Sequence, residues 1–92
     1  PMAKMAYVNG RYVPHGSAAV HIEDRGYQFA DGVYEVVTIV GGRMVDEEPH
    51  LDRLERSLRE IEIAMPMSRP VLRMVMRELV RRNRVRDGLL YM

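Results

Sequence analysis

The stretch that decides the fold runs from residue 24 to residue 40 and reads DRGYQFADGVYEVVTIV. Its second half, Val33 to Val40, is dense in β-branched residues and predicts a strand. Because side chains alternate along a strand, Tyr34 and Val36 share one face, and Glu35 lies on the other. Both faces are largely apolar, which predicts a strand that is covered on both sides. Glu35 then needs a polar partner if it is buried.

The segments on either side of this strand predict turns and further strands. The polar, glycine-rich residues 23–32 predict a loop. Upstream, Asn9-Gly10 joins two short apolar segments and predicts a hairpin over residues 5–14. Downstream, Gly41-Gly42 predicts a second hairpin, which returns through residues 43–45.

Two helices follow in the pattern of apolar residues. The first begins near Asp46, with acidic residues and Pro49 in positions that favour a helix N-terminus, and ends at Met65-Pro66. The second has Ser68 as its predicted N-cap and ends at Asp87-Gly88, after which an apolar strand begins. We therefore expect an α+β fold, with antiparallel strands followed by two helices, in one domain over residues 1–92.

Composition excludes several classes of protein. The 92 residues are 47% hydrophobic and 29% charged and include no cysteine, so disulfides, thiolate metal sites and cysteine nucleophiles are excluded. The sequence predicts neither a signal peptide nor a membrane span, so we expect a cytoplasmic protein with no membrane partner. His15, His21 and His50 share no ligand spacing, which predicts no metal site.

Two motifs resemble the class IV (fold-type IV) pyridoxal-phosphate aminotransferases. They are residues 24–37 and the sequence His50-Leu51-Asp52-Arg53-Leu54, and they are most similar to the D-amino-acid transaminase branch. Ala30 departs from the pattern, because the family usually has glycine there. The resemblance implies the small N-terminal domain of the D-amino-acid aminotransferase-like fold, pyridoxal 5'-phosphate as cofactor, and a homodimer. It also implies transfer of an amino group between a D-amino acid, such as D-alanine, and a 2-oxo acid.

The resemblance also implies roles for individual residues. Arg53 matches the arginine that holds the cofactor phosphate, and a guanidinium can bind two phosphate oxygens at once. Tyr34 matches a tyrosine that helps to receive the substrate carboxylate, and Val36 lines the same pocket. His50 and Glu35 are expected to support the cofactor site, although a capping or core role explains each of them equally well.

The catalytic group expected for this family is missing from these residues. The lysine that holds the cofactor as a Schiff base lies beyond residue 92 in the family, in a second domain. Lys4 is the only lysine here, and it lies ahead of the first hairpin, in the wrong part of the chain. We therefore expect the 92 residues alone to be inactive in transamination.

Two kinds of alternative function remain open. Branched-chain aminotransferase and aminodeoxychorismate lyase share the fold and the role of Arg53. A non-catalytic nucleic-acid- or protein-binding module is an alternative of another class, because arginines recur every four residues along the second helix, at Arg69, Arg73, Arg77 and Arg81. No aromatic residue alternates with these arginines, so we expect a solvated helix face and no nucleic acid partner.

Overall fold

The computed structural model describes residues 4–92, and this part of the chain forms five strands and three α-helices. The elements are β1 (Met5–Val8), β2 (Arg11–Pro14), α1 (Arg25–Phe29), β3 (Val36–Val40), β4 (Arg43–Met44), α2 (Glu47–Glu60), α3 (Arg69–Arg82) and β5 (Gly88–Tyr91). This architecture confirms the predicted α+β class, with two main helices following antiparallel strands.

The central sheet has the strand order β4-β3-β5, and both pairings are antiparallel. The predicted C-terminal strand therefore pairs with β3, with Val36 opposite Tyr91 and Thr38 opposite Leu89. Regular β3 begins at Val36, three residues later than predicted. Glu35 nevertheless extends the ladder, because its backbone N–H and C=O both bond to Met92, at 2.9 and 2.8 Å.

The hydrophobic core lies between this sheet and helices α2 and α3. Val37 and Ile39 of β3 are almost completely buried, as are Leu51 of α2 and Met76 of α3. In contrast, Val40 is 56% exposed. The prediction that both faces of this strand are covered is thus wrong for the described residues, which leave one face open.

Helix α2 ends at Glu60, earlier than the predicted end at Met65-Pro66. Glu62 has a φ of 60°, and the amide of Ile63 donates to the carbonyl of Leu58 at 2.9 Å. These features form a Schellman ending, which places a left-handed residue after the helix and satisfies its last carbonyls. The prediction missed this ending because glutamate is an unusual residue at the left-handed position.

The predicted loop over residues 23–32 contains a helix of one turn. Asp24 caps α1 by accepting a hydrogen bond from the amide of Gly26 at 2.9 Å. The helix ends at Ala30, which has a φ of 57°. Alanine pays a steric cost in this left-handed region that glycine does not pay.

The β1–β2 hairpin is a separate two-stranded sheet that is attached to the end of α3. Its turn at Asn9-Gly10 has positive φ at both residues, as the sequence predicted. The side chain of Asn83 accepts from the amide of Met5 at 2.8 Å and donates to its carbonyl at 3.1 Å. Asn83 therefore takes the place of a neighbouring strand for Met5.

Candidate functional site

Glu35 is the buried polar residue of the described core, with only 4% of its surface exposed. It precedes β3 and points toward the helices, whereas Tyr34 and Val36 point toward the open face. The backbone N–H and C=O of Glu35 both bond to Met92, which fixes this residue in the ladder. The predicted need for a polar partner is confirmed, and helix α2 supplies two of them.

The partners of Glu35 are His50 and Arg53, which lie three residues apart on one face of α2. His50 Nδ1 lies 2.7 Å from Glu35 Oε1. Arg53 donates from Nε to Oε2 at 2.7 Å and from Nη2 to Oε1 at 2.9 Å. The two carboxylate oxygens thus receive three hydrogen bonds, which is the condition for burying a charge at tolerable cost.

The electrostatics of this cluster favour the charged forms of Glu35 and Arg53. Hydrogen bonds from Arg53 lower the pKa of Glu35 to about 2, against the opposing effect of burial, and His50 adds to the lowering. The hydrogen bonds to Glu35 raise the pKa of Arg53, and the Tyr34 phenol makes the smallest contribution in the same direction. Glu35 is therefore ionised and accepts hydrogen bonds only, so His50 must carry its proton on Nδ1.

The open face of the sheet carries an aromatic pair beside this cluster. Tyr34 is 68% exposed, and its ring stacks on that of Tyr91 with centroids 6.0 Å apart and planes inclined by 11°. Val36 lies directly opposite Tyr91 in the register, and Leu89 is exposed on the same strand. The result is an apolar surface with two phenol groups at one end.

The structure brings together three of the five predicted site residues, namely Glu35, His50 and Arg53. Tyr34 and Val36 form a second group on the open face, joined to the first through the backbone of Glu35. The sequence analysis missed Tyr91, because the strand containing it had no identified partner. The signal in the sequence was that Tyr91 alternates with Leu90, which is buried, so Tyr91 must lie on the opposite face of the strand.

Three arginines of α3, Arg69, Arg73 and Arg77, pair with acidic residues of α2. Arg81 and Arg82 instead pair with Glu78 of α3 itself. Arg69 bonds to Glu55 at 2.9 and 3.1 Å and also contacts Glu48 and Asp52. Farther along α3, Arg73 pairs with Glu48 and Arg77 with Glu47. These pairs reduce the positive charge that α3 could offer to a nucleic acid, and they give the arginine stripe a structural role.

Residues 4–92 hold neither a candidate metal centre nor a helix that could cross a membrane. Within this range no group of three or more histidine or acidic side chains is arranged to hold a metal ion. None of the helices in the same range has the length and apolar character that crossing a membrane requires.

The sequence comparisons show the family to which the chain belongs. The family model described as amino-transferase class IV matches residues 32–92, which is well over half of the chain. The chain belongs to the class IV aminotransferase family. The matched part of this aminotransferase domain contains β3, α2, α3 and β5, and with them all five predicted site residues.

The relatives that the chain resembles in sequence are longer proteins. The domain is 42% identical over 85 residues to the D-alanine aminotransferase of Listeria innocua, an alignment that covers 92% of this chain and 29% of that protein. It is 46% identical over 84 residues to the D-alanine aminotransferase of Bacillus licheniformis, covering 91% of this chain and 30% of that protein. The chain thus spans about three tenths of the length of these relatives.

Proposed function

We propose that residues 1–92 are the small N-terminal domain of a longer, pyridoxal-phosphate-dependent D-amino-acid transaminase. The whole enzyme transfers an amino group between a D-amino acid, such as D-alanine, and a 2-oxo acid. It works as a cytoplasmic homodimer, and a second domain supplies the lysine that holds the cofactor. The similarity to D-alanine aminotransferases supports the choice of substrate class.

The observation that carries this proposal is the arrangement of consecutive residues at the start of β3. Tyr34 presents a phenol on the open face, while Glu35 turns inward and holds Arg53. One strand therefore places a donor for a carboxylate next to an arginine suited to a phosphate. An amino acid bound to this cofactor carries both of these anionic groups.

The residues present fit the phosphate of pyridoxal phosphate. The Arg53 side chain is 56% exposed although Glu35 holds one of its edges, so the remaining N–H groups are accessible. Arginine stays charged at any working pH, and the hydrogen bonds to Glu35 raise the pKa of Arg53 further. When bound, the cofactor supplies the electron sink and carries the amino group.

The residues of this chain bind and orient rather than react. Arg53 would hold the phosphate, with Glu35 and His50 behind it. Tyr34 would donate a hydrogen bond to the substrate carboxylate, and its ring is kept in place by Tyr91. Val36 would exclude water from the same side of the pocket and limit the shape of the substrate.

The test is an amino-transfer assay on the enzyme encoded by the complete gene. We expect pyruvate to form from D-alanine in the presence of 2-oxoglutarate, and much less from L-alanine. Preference for branched-chain L-amino acids would instead assign the enzyme to the branched-chain aminotransferases of the family. Release of pyruvate from aminodeoxychorismate without an amino acceptor would assign it to the lyase branch.

The substitutions Tyr34→Phe and Arg53→Lys separate the two proposed binding roles. Tyr34→Phe should raise the KM for D-alanine and leave cofactor affinity unchanged. Arg53→Lys should weaken the binding of pyridoxal phosphate, because a lysine cannot make the planar two-point contact. Equal cofactor affinity in Arg53→Lys and wild type would contradict the assignment of Arg53. Sedimentation of the same enzyme tests the proposed dimer.

A further inference from the structure

The way in which Glu35 contacts Arg53 determines which part of the guanidinium remains for a ligand. An arginine has five N–H groups in one plane, one on Nε and two on each terminal nitrogen. Glu35 accepts from Nε and from Nη2, so it occupies the side edge of the group. The end edge, formed by Nη1 and the second N–H of Nη2, is a separate pair of parallel donors.

The carboxylate that makes this contact is held by the sheet rather than by the helix. Glu35 is 4% exposed, and its backbone N–H and C=O both bond to Met92. Arg53, in contrast, is a long side chain that is 56% exposed and would otherwise sample many rotamers. The position of its guanidinium is therefore set by an anchor that is continuous in the chain with Tyr34 and with Val36, the first residue of β3.

His50 completes the anchor from the other side. Its Nδ1 donates to Glu35 Oε1, the same oxygen that accepts from Arg53 Nη2. The bond keeps this oxygen from rotating away from the arginine, and it leaves Nη1 of Arg53 outside the cluster of contacts. His50 and Arg53 also come from the same turn of α2, so both partners reach Glu35 from one part of the helix.

We propose that Glu35 is a positioning residue, which holds the side edge of Arg53 so that the end edge is presented to the cofactor phosphate. The inference rests on the proposed function, because it takes Arg53 as the phosphate-binding group. It goes further by assigning the two edges of the guanidinium to two different anions. It also explains why a buried carboxylate lies beside an arginine that must bind an anion: fixing the donors in advance lowers the entropic cost of binding.

The test compares two probes on the full-length apoenzyme, pyridoxal phosphate and pyridoxal, which differ only in the phosphate group. Glu35→Gln keeps the shape of the side chain but directs an amide N–H₂ at one of the arginine donors. We expect Glu35→Gln to weaken the binding of pyridoxal phosphate by about tenfold or more and to leave pyridoxal affinity unchanged. Glu35→Asp is the second variant, for use if Glu35→Gln does not fold. It keeps the negative charge but places the carboxylate farther from Arg53, and it should show the same phosphate-specific loss of affinity.

Control variants separate this inference from the proposed function. His50→Asn retains a donor near the position of Nδ1 and should lose less affinity for pyridoxal phosphate than Glu35→Gln. Phosphate discrimination is the preference of the apoenzyme for pyridoxal phosphate over pyridoxal. If Arg53→Lys loses this preference and the folded Glu35 variants keep it, the positioning role is wrong and the proposed function stands. If Arg53→Lys itself keeps full discrimination, Arg53 is not the phosphate group and both fail. Equal weakening of both probes in the Glu35 variants would also overturn the inference, since it indicates a purely structural role.

Discussion

Replacing Arg53 by methionine should destabilise the protein in a way that depends on pH. The substitution keeps most of the volume of the side chain but removes two hydrogen bonds to Glu35, at 2.7 and 2.9 Å. Glu35 remains 4% exposed, with His50 as its partner. A buried carboxylate that loses its main cation costs stability as long as it stays ionised.

The pKa of Glu35 gives the magnitude. In the folded protein it falls from its ordinary value of 4.5 to about 2, with hydrogen bonds from Arg53 as the largest cause. That lowering corresponds to at most about 3 kcal/mol. Because the Arg53 side chain is 56% exposed, water screens the pair, and we expect a loss of about 1 to 2 kcal/mol at neutral pH.

The direction of the pH effect follows from linkage. A lowered pKa contributes stability that is present above about pH 4.5 and is lost as the pH falls toward about 2. The difference between wild type and Arg53→Met should therefore be largest near neutral pH and should narrow on acidification through this window. The assay is urea unfolding followed by circular dichroism at about pH 7 and about pH 3.

The exposed Arg56, on the same helix, provides the control, and Arg56→Met should change stability by less than about 0.5 kcal/mol at either pH. A difference between wild type and Arg53→Met that is the same at both pH values would refute the reasoning, because it would show that the charge of Glu35 is not what Arg53 stabilises.

Three further predictions concern the scaffold. Leu51→Ala should lower the free energy of unfolding by about 3 to 5 kcal/mol in urea titrations, since Leu51 is completely buried. The control Leu89→Ala, at a position that is 68% exposed, should change it by less than about 1 kcal/mol. Asn83→Ala should release the N-terminal hairpin from α3, which hydrogen exchange would detect as faster exchange of the Met5 amide. Unchanged exchange would show that the bonds between Asn83 and Met5 do not hold the hairpin. Arg69→Met should lower the Tm more at low ionic strength than at about 1 M salt, and equal losses would show that its ion pairs do not contribute.

Local signals predicted the elements of the fold, and the pairing between them was harder to predict. The Asn9-Gly10 turn, the Ser68 cap and the β-branched strand were all recognised, because each depends on neighbouring residues. The partner of β5 was not, since it lies about 50 residues earlier in the chain. Helix α2 ends early because Glu62 adopts a positive φ, and no residue pattern indicated that ending.

The part of the candidate site that depends on neighbouring residues could also be predicted. Alternation along the strand predicted that Glu35 would turn away from Tyr34 and require a partner, and both expectations are confirmed. The resemblance to class IV aminotransferases predicted site roles for Arg53 and His50, and these roles stay predictions; it did not predict that both would bind Glu35. That contact joins residues 15 and 18 positions apart and depends on how α2 packs against the sheet.

The most direct test of the proposed cofactor chemistry is borohydride reduction of the enzyme encoded by the complete gene, followed by denaturation and intact mass measurement. We predict one reduced pyridoxal-phosphate adduct per chain, which peptide mapping places on a lysine outside residues 1–92. A mass without any adduct, or an adduct on Lys4, the only lysine of these residues, would contradict the proposal.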